Sequence, residues 1–468
     1  MGGTEAYVLE QERFWPENCN KLGPINRNSE AGSDVANKNG GAPQPETIGK
    51  YQVERLLGRG GTSSVYLARD PFSARLVAIK VATPEVLHDP EFGAQYRKLF
   101  INEAGLAGKL RHPHIVRLLD AVVGEDQQYI VMEHLPGVTL EPYCRPDNLL
   151  EFDRVVDVIF KCSQALDYAS RQGVVHRDIK PANIMFDHDG DIKLADFGAA
   201  LSLRSTTTQI MGAVGSLAYM APEQLRHEGV THQTDIYSLG VVMFQLLTGQ
   251  LPYNADNQAA LIQKILNEPM PLVSDLRPDI PVALASIVLR ATEKSLKDRY
   301  TSWREFIKDL GDTAGGLDTR SEEIDDTRKF QLLRGLSFFK DFNEVELWQA
   351  LRITRWASFP KGKVLIQEGD IGRSFFVIVN GSAKVFKDKK LLGVFNEGDP
   401  FGEMVCVEDV PIARSGTVIA DTNMVVVKIR KDSLLQAPDS LQLRFNRVLL
   451  RILASRLTTT ASLYIKAK

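Results

Sequence analysis

Cysteine is scarce in this chain. Only four occur in 468 residues, Cys19, Cys144, Cys162 and Cys406, and no two form a Cys-x-x-Cys pair. That scatter argues against a disulfide framework and against a cysteine-rich zinc site, and it fits isolated thiols in a reducing compartment. Long apolar runs are missing too, so neither a bilayer span nor a secretory leader is expected. The start Met1-Gly2-Gly3-Thr4-Glu5-Ala6 offers the glycine of a myristoylation signal but not the Ser or Thr at the sixth position. Charge of one sign is lacking, with a net of −3 at pH 7. Bulk attraction to nucleic acid or to an anionic membrane is therefore not expected. What is present, 44% hydrophobic and 25% charged residues, suits a soluble globular chain. A cytoplasmic location is the expectation.

The length suits two or three domains, and there are no internal repeats. Residues 1–50 are polar, rich in Asn, Gly, Glu and Pro, and read as a flexible tail. A folded region runs from Tyr51 to about Leu310. Its first part reads as strands, such as Val65–Ala68 and Leu76–Val81, around one helix at 92–110 with Phe100, Ala104 and Ala107 on one side. Helical patterns then dominate, as in Asp153–Ser170 and Asp235–Leu247. Gly311-Asp312-Thr313-Ala314-Gly315-Gly316 breaks the pattern, and residues 311–329 read as an acidic linker and natural hinge. From 330 to 468, short β-rich runs are separated by the turns Gly369-Asp370, Asn380-Gly381 and Glu397-Gly398-Asp399. Helical patterns flank them at Glu344–Leu351 and Leu441–Leu457.

One run carries the most chemistry. His176-Arg177-Asp178-Ile179-Lys180-Pro181-Ala182-Asn183, followed by Asp196-Phe197-Gly198, places a carboxylate base, an ammonium and two oxygen ligands for a hard metal within about twenty residues. Upstream, Leu57-Gly58-Arg59-Gly60-Gly61-Thr62-Ser63-Ser64-Val65 is a glycine-rich turn whose backbone N–H groups suit phosphate oxygens. Alone it is a weak signal, because glycine-rich hairpins are common. Val77-Ala78-Ile79-Lys80 ends an apolar strand on a lysine, and Glu103 stands on the expected helix. Taken singly, either would be an ordinary surface charge. Ala221-Pro222-Glu223, Asp235 to Gly240 and Asp298-Arg299-Tyr300 follow in order.

In that order the signals resemble a eukaryotic-type Ser/Thr protein kinase of bacterial flavour, over residues 51–310. The resemblance implies a bilobal α+β fold with ATP and Mg²⁺ as cofactors. Leu57, Gly58, Gly60, Val65, Ala78, Lys80, Glu133, Leu135 and Met185 would bind ATP, with backbone groups of Glu133 and Leu135 meeting adenine. Glu103 would pair with Lys80, Asp178 would be the base, Lys180 would neutralise the γ-phosphate, and Asn183 and Asp196 would hold the metal. Glu223 would pair with Arg299, and Asp235 would support the catalytic loop. His176 would pack under that loop. Lys180, with Gly215-Ser216 before Tyr219, favours Ser or Thr as acceptor. Ser205, Thr206, Thr207 and Thr208 are candidate autophosphorylation positions, whose phosphate would meet Arg177; otherwise they belong to a flexible polar loop.

Phe401-Gly402-Glu403-Met404, followed by Ala413-Arg414-Ser415-Gly416-Thr417-Val418, is a second constellation. A short helix starting at Gly402 would aim N–H groups at a phosphate, with Arg414 as its charged partner. Glu403 would accept from a ribose hydroxyl, and Ser415 would add a contact. This region resembles a cyclic nucleotide-binding domain, a mainly β fold (a β-roll with flanking helices), with cAMP slightly favoured over cGMP as effector. The stretch between Glu403 and Arg414 is about two residues longer than usual there, and no proline directly precedes Arg414. The less favoured alternative is a domain of this fold that takes another ligand or none, with Arg414 a solvated arginine and Glu403 a helix N-terminal carboxylate.

The sequence thus predicts a multidomain kinase with protein Ser/Thr substrates, controlled in cis by cyclic nucleotide. The alternatives are a kinase whose second domain binds another ligand or partners, and a silent scaffold. Nucleic acid is not an expected partner, and the oligomeric state stays open.

Overall fold

The computed structural model describes residues 45–466, apart from 61, 91–92, 107, 125–126, 188–189, 198–200, 203–215, 315–325, 389 and 407–412. Strands β1 (Thr47–Ile48), β2 (Tyr51–Arg59), β3 (Ser63–Arg69), β4 (Leu76–Ala82), β5 (Leu118–Val123) and β6 (Gln128–Glu133) form one antiparallel sheet, ordered β1-β2-β3-β4-β6-β5. Helices α1 (Pro84–Leu87) and α2 (Gly93–Ala104) lie between β4 and β5 in sequence. The β-branched residues of β4 suit a central strand covered on both faces. Val77 and Ile79 join Tyr51 and Val131 in one cluster, while Ala82 joins Phe100 of α2 and Ile130 in another. Strand β1 lies within the stretch read from sequence as tail. Gly49, at φ +56°, makes a tight turn that returns Ile48 onto β2 and buries it.

The second lobe is helical. Its elements are α3 (Phe152–Arg171), the short strands β7 (Val174–Val175), β8 (Ile184–Phe186), β9 (Ile192–Leu194) and β10 (Leu201–Ser202), then α4 (Pro222–Leu225), α5 (His232–Thr248), α6 (Gln258–Asn267), α7 (Val273–Leu276), α8 (Val282–Ala291) and α9 (Trp303–Ala314). α3 and α5 are the central helices, each buried over most of its length. Thr231 caps α5 by accepting from Gln233 N–H, and Gly249 ends it at φ +74°.

The C-terminal region holds α10 (Asp326–Gly335), α11 (Glu344–Ile353), β11 (Thr354–Phe359), β12 (Val364–Ile366), β13 (Ser374–Asn380), β14 (Ala383–Lys387), β15 (Lys390–Phe395), β16 (Pro400–Phe401), β17 (Thr417–Ala420), β18 (Met424–Arg430), α12 (Lys431–Leu435) and α13 (Asp439–Lys466). Its strands make two four-stranded antiparallel sheets, β11-β18-β13-β16 and β12-β17-β14-β15. Gly369, Gly381 and Gly398, the glycines of the three turns read from sequence, all take positive φ.

Both ends of the span read from sequence as a linker, 311–329, are helical, and residues 315–325 lie outside the described residues. α9 continues through Gly311 to Ala314, and α10 starts at Asp326. Gly311 acts here as a packing residue: a Cβ would stand 2.9 Å from the Gln331 amide of α10. A continuous apolar core runs from α3 and α5 through Phe330, Leu333 and Trp348 to Phe375, Val427 and Phe445 of the β-rich domain. Trp348 stacks on Phe330 at 4.6 Å and meets the buried His114 edge-on at 4.6 Å. Thr327 Oγ1 donates to Asp157 of α3 at 3.0 Å.

Glu344 of α11 lies in this seam, 3.7 Å from Arg171, and the Gln164 amide donates to it. Burial and the Asp167 carboxylate push Glu344 up to about 7, against the pull of Arg171 and Arg334. Its folded value lies above the unfolded 4.5, so its contribution is full at low pH and is lost as pH rises from about 4.5 to about 7. His114 acts in the opposite sense. Burial pushes its imidazole down to about 4, so its contribution is lost as pH falls from 6.5 toward 4. Glu344→Gln is therefore expected to stabilise the chain at pH 8 by on the order of 1–3 kcal/mol and to flatten the loss between pH 4.5 and 7. Denaturant melts at pH 5 and pH 8 check this; equal gains at both would remove the assignment.

Candidate functional site

The apolar strand β4 carries Lys80 into the cleft between the lobes. Its Nζ lies 2.9 Å from Glu103 of α2 and 2.7 Å from Asp196 of the second lobe. One ammonium therefore bridges strand, helix and opposite lobe. Burial alone would push the Lys80 ammonium down. The Asp196 and Glu103 carboxylates outweigh it and hold the group well above its ordinary value.

The catalytic-loop run is held from beneath. Asp235, buried in the first turn of α5, accepts from the backbone N–H groups of His176 and Arg177 at 2.8 Å each. His176 is fully buried, pairs with Ala195 O at 3.1 Å and lies 4.4 Å from the Phe197 ring. Asp178 Oδ2 accepts from Lys180 Nζ at 2.7 Å and from Asn183 Nδ2 at 3.1 Å. Arg177 and Asp196 both take left-handed backbone angles, φ +70° and +60°, unfavourable for side-chain-bearing residues and of the kind that clusters at active sites.

The remaining ATP-site candidates lie around the same cleft. Gly60 N–H donates to Ser63 O at 2.8 Å and closes the β2–β3 turn; Leu57 and Gly58 belong to β2, and Val65 to β3. A Cβ at Gly58 would meet nothing within 4 Å. Ala78 lies on β4 and Met185 on β8, while Glu133 and Leu135 lie at and just beyond the end of β6. The Glu133 carboxylate is held by Arg117 N–H at 2.8 Å and Lys193 at 2.6 Å, and the Glu133 N–H donates to Arg117 O at 3.0 Å. Among the described residues no cluster of three or more His, Cys, Asp and Glu forms a self-sufficient metal cage. Asn183 and Asp196 offer oxygen ligands only. That fits a hard ion completing its shell with phosphate oxygens and water.

Glu223 and Arg299 form a buried pair at 2.8 Å, with Thr234 Oγ1 also donating to Glu223. Two contacts escaped the sequence reading. Lys180 also donates to Ser216 Oγ at 2.7 Å, and the Gln224 amide donates to Arg177 O at 3.1 Å. Ser205, Thr206, Thr207 and Thr208 lie outside the described residues.

In the β-rich domain, Gly402 takes φ +74° and opens a 3₁₀ turn at Glu403–Cys406. The Arg414 guanidinium donates to Gly402 O at 2.9 Å and Ser374 O at 2.6 Å, and a Cβ at Gly402 would lie 2.7 Å from it. Ser415 is exposed. Glu403 is buried and already engaged, because Arg456 of α13 donates to it at 2.6 Å and to Pro400 O at 2.6 Å. The sequence carried no sign of that partner, which lies 53 residues away.

Residues 51–310 match the protein kinase domain family, and residues 356–440 match the cyclic nucleotide-binding domain family. A probable serine/threonine-protein kinase PknB of Lactococcus lactis is 37% identical over 313 residues, covering 66% of this chain and 47% of that protein. Serine/threonine-protein kinase PrkC of Bacillus subtilis is 38% identical over 263 residues, 56% of this chain and 40% of the relative. PknB of Mycolicibacterium smegmatis is 37% identical over 269 residues, 56% and 42% respectively. The chain thus spans less than half the length of these curated relatives. With a kinase-family match over more than half its residues and the second match beyond it, this chain belongs to the protein kinase family and carries a cyclic nucleotide-binding domain on the C-terminal side of its kinase domain.

Proposed function

We propose that the chain transfers the γ-phosphoryl group of ATP to Ser or Thr hydroxyls of proteins. The observation that carries this is Lys80 tied at once to Glu103 and Asp196, facing a loop in which Asp178, Lys180 and Asn183 are already joined by hydrogen bonds. Asn183 and Asp196 would hold Mg²⁺, which would supply charge neutralisation at the phosphates. Lys80 positions the α- and β-phosphates. Asp178 orients the acceptor oxygen and takes its proton, while Lys180 stabilises charge developing on the transferred group. Lys180 donates to both Asp178 and Ser216, which supports Ser/Thr selectivity. Among the described residues the Arg177 Nε is buried with no hydrogen-bond partner, which supports a phosphorylated residue of 205–208 as its partner.

The C-terminal domain is proposed to bind a cyclic nucleotide that shifts kinase activity by binding two arrangements of the chain unequally. A second reading has its own support: Arg414 spends donors on two carbonyls and Glu403 is held by Arg456, as expected of a domain that takes another ligand or a partner. Phosphotransfer to a generic Ser/Thr substrate, with and without cAMP or cGMP, separates the two. Arg414→Ala is expected to weaken nucleotide binding about 10- to 150-fold, the equivalent of one charge-assisted contact, and to erase any nucleotide response. Calorimetric titration that finds no binding of either nucleotide to the unaltered chain would favour the second reading. Among the described residues no helix is long and apolar enough to cross a membrane.

A further inference from the structure

Asp191 occupies the turn side of the β8–β9 hairpin. β8 starts at Ile184, directly after Asn183, and β9 ends at Leu194, two residues before Asp196. The two arms of one short hairpin therefore lead straight into both candidate metal ligands. The far end of that hairpin is gripped by charge. Asp191 lies 3.0 Å from Lys161 of α3 and 3.0 Å from Arg352 of α11. Lys161 is shared, since Asp157 stands 3.1 Å and Asp326 3.4 Å from the same ammonium. Asp157 has Arg154 at 2.6 Å and Asp326 has Lys329 at 3.6 Å as further cations, so among the described residues Lys161 and Arg352 are the two cations that hold Asp191. His114 is 3.6 Å from Asp191, but burial keeps its imidazole neutral near pH 7. Arg352 belongs to the C-terminal region, one helical turn beyond Trp348, which packs on His114. His114 in turn accepts Leu194 N–H on its carbonyl at 2.9 Å, so the same helix also braces β9 from the side.

We propose that Arg352 of α11 is a positioning residue for the phosphoryl-transfer site, clamping Asp191 so that the hairpin presents Asn183 and Asp196 in register for the metal-bound nucleotide. The docked C-terminal region then acts as part of the catalytic scaffold, whether or not its own domain holds a ligand. An error of about 1 Å in such a constellation can cost about 10²-fold. Arg352 is only half buried and Lys161 remains, so the expected effect of its loss is smaller.

The inference takes from the proposed function only that Asn183 and Asp196 bind metal with nucleotide. Arg352→Glu in the full chain is compared with Arg352→Ala, the gentler change, and Arg352→Lys, which keeps the charge. Three readouts are taken: amide hydrogen exchange over 184–194, the Mg²⁺ concentration for half-maximal binding of a fluorescent ATP analogue, and steady-state turnover. Arg352→Glu is expected to speed exchange in the hairpin, raise the Mg²⁺ midpoint about 3- to 10-fold and lower kcat, with KM for a peptide substrate unchanged. Arg352→Ala should fall between, and Arg352→Lys should restore the midpoint. An unchanged Mg²⁺ midpoint in Arg352→Glu overturns the proposal, even where exchange accelerates. The exchange and binding arms need no turnover. A chain that bound Mg²⁺ and nucleotide but transferred no phosphate would therefore sink the proposed activity while this test still gave its answer.

Discussion

Asp178→Asn lowers kcat about 10²- to 10⁴-fold, the range contributed by a positioned general base, while nucleotide binding stays within about two-fold. The substitution keeps size and shape, and an amide oxygen can still accept from Lys180 and Asn183 as the Asp178 carboxylate does at 2.7 and 3.1 Å. What it removes is the negative charge proposed to orient the acceptor hydroxyl and receive its proton. Steady-state assay on a Ser/Thr peptide measures the first quantity, and a fluorescent nucleotide measures the second. A loss of less than ten-fold, in a preparation free of other kinases, would take the base assignment away from Asp178. A matching loss in nucleotide affinity would instead make Asp178 a ground-state binding residue.

Arg299→Ala destabilises the chain by about 3–5 kcal/mol, because it leaves Glu223 charged and buried without its partner. Arg299 has no exposed surface, and beyond Glu223 it donates to Glu293 O and Gln233 O at 2.9 Å and lies over the Tyr237 ring at 5.0 Å. Against a typical total of roughly 5–15 kcal/mol, that loss is large. A fall of about 3–5 °C in melting temperature is expected for a chain of this size, at about 2.1 cal/mol/K of unfolding entropy per residue. Glu223→Gln combined with Arg299→Met should recover part of it, since replacing both ions by neutral groups removes the uncompensated charge. If Arg299→Ala alone costs under about 1 kcal/mol, solvent must reach the pair and the buried-anchor account fails.

The geometry of the candidate site was legible because it is written locally. Asp178, Lys180 and Asn183 fall within six residues, and their hydrogen bonds follow from one loop. Lys80 and Glu103 lie 23 residues apart, yet an apolar strand ending in lysine and a helix bearing a glutamate are each visible alone. The C-terminal strands were readable from their glycine turns. What escaped was held by distant pairs with no motif. Arg352 and Asp191 lie 161 residues apart, and each reads as an ordinary surface charge. Arg456 sits on a helix whose pattern speaks only of its apolar face. Gly311 reads as a breaker because glycine disfavours helix, whereas its real use, admitting Gln331, exists only once α10 has docked.

The apolar core that joins α3 to Phe445 without interruption makes heat resistance a property common to both halves of the molecule. Whatever ligates the β-rich domain in its folded form adds RT ln(1 + [L]/Kd) to the resistance of everything that melts with it. Since Phe330 and Trp348 tie that domain to the helices of the second lobe, a ligand of the β-rich domain is expected to raise the melting of the helical lobe as well.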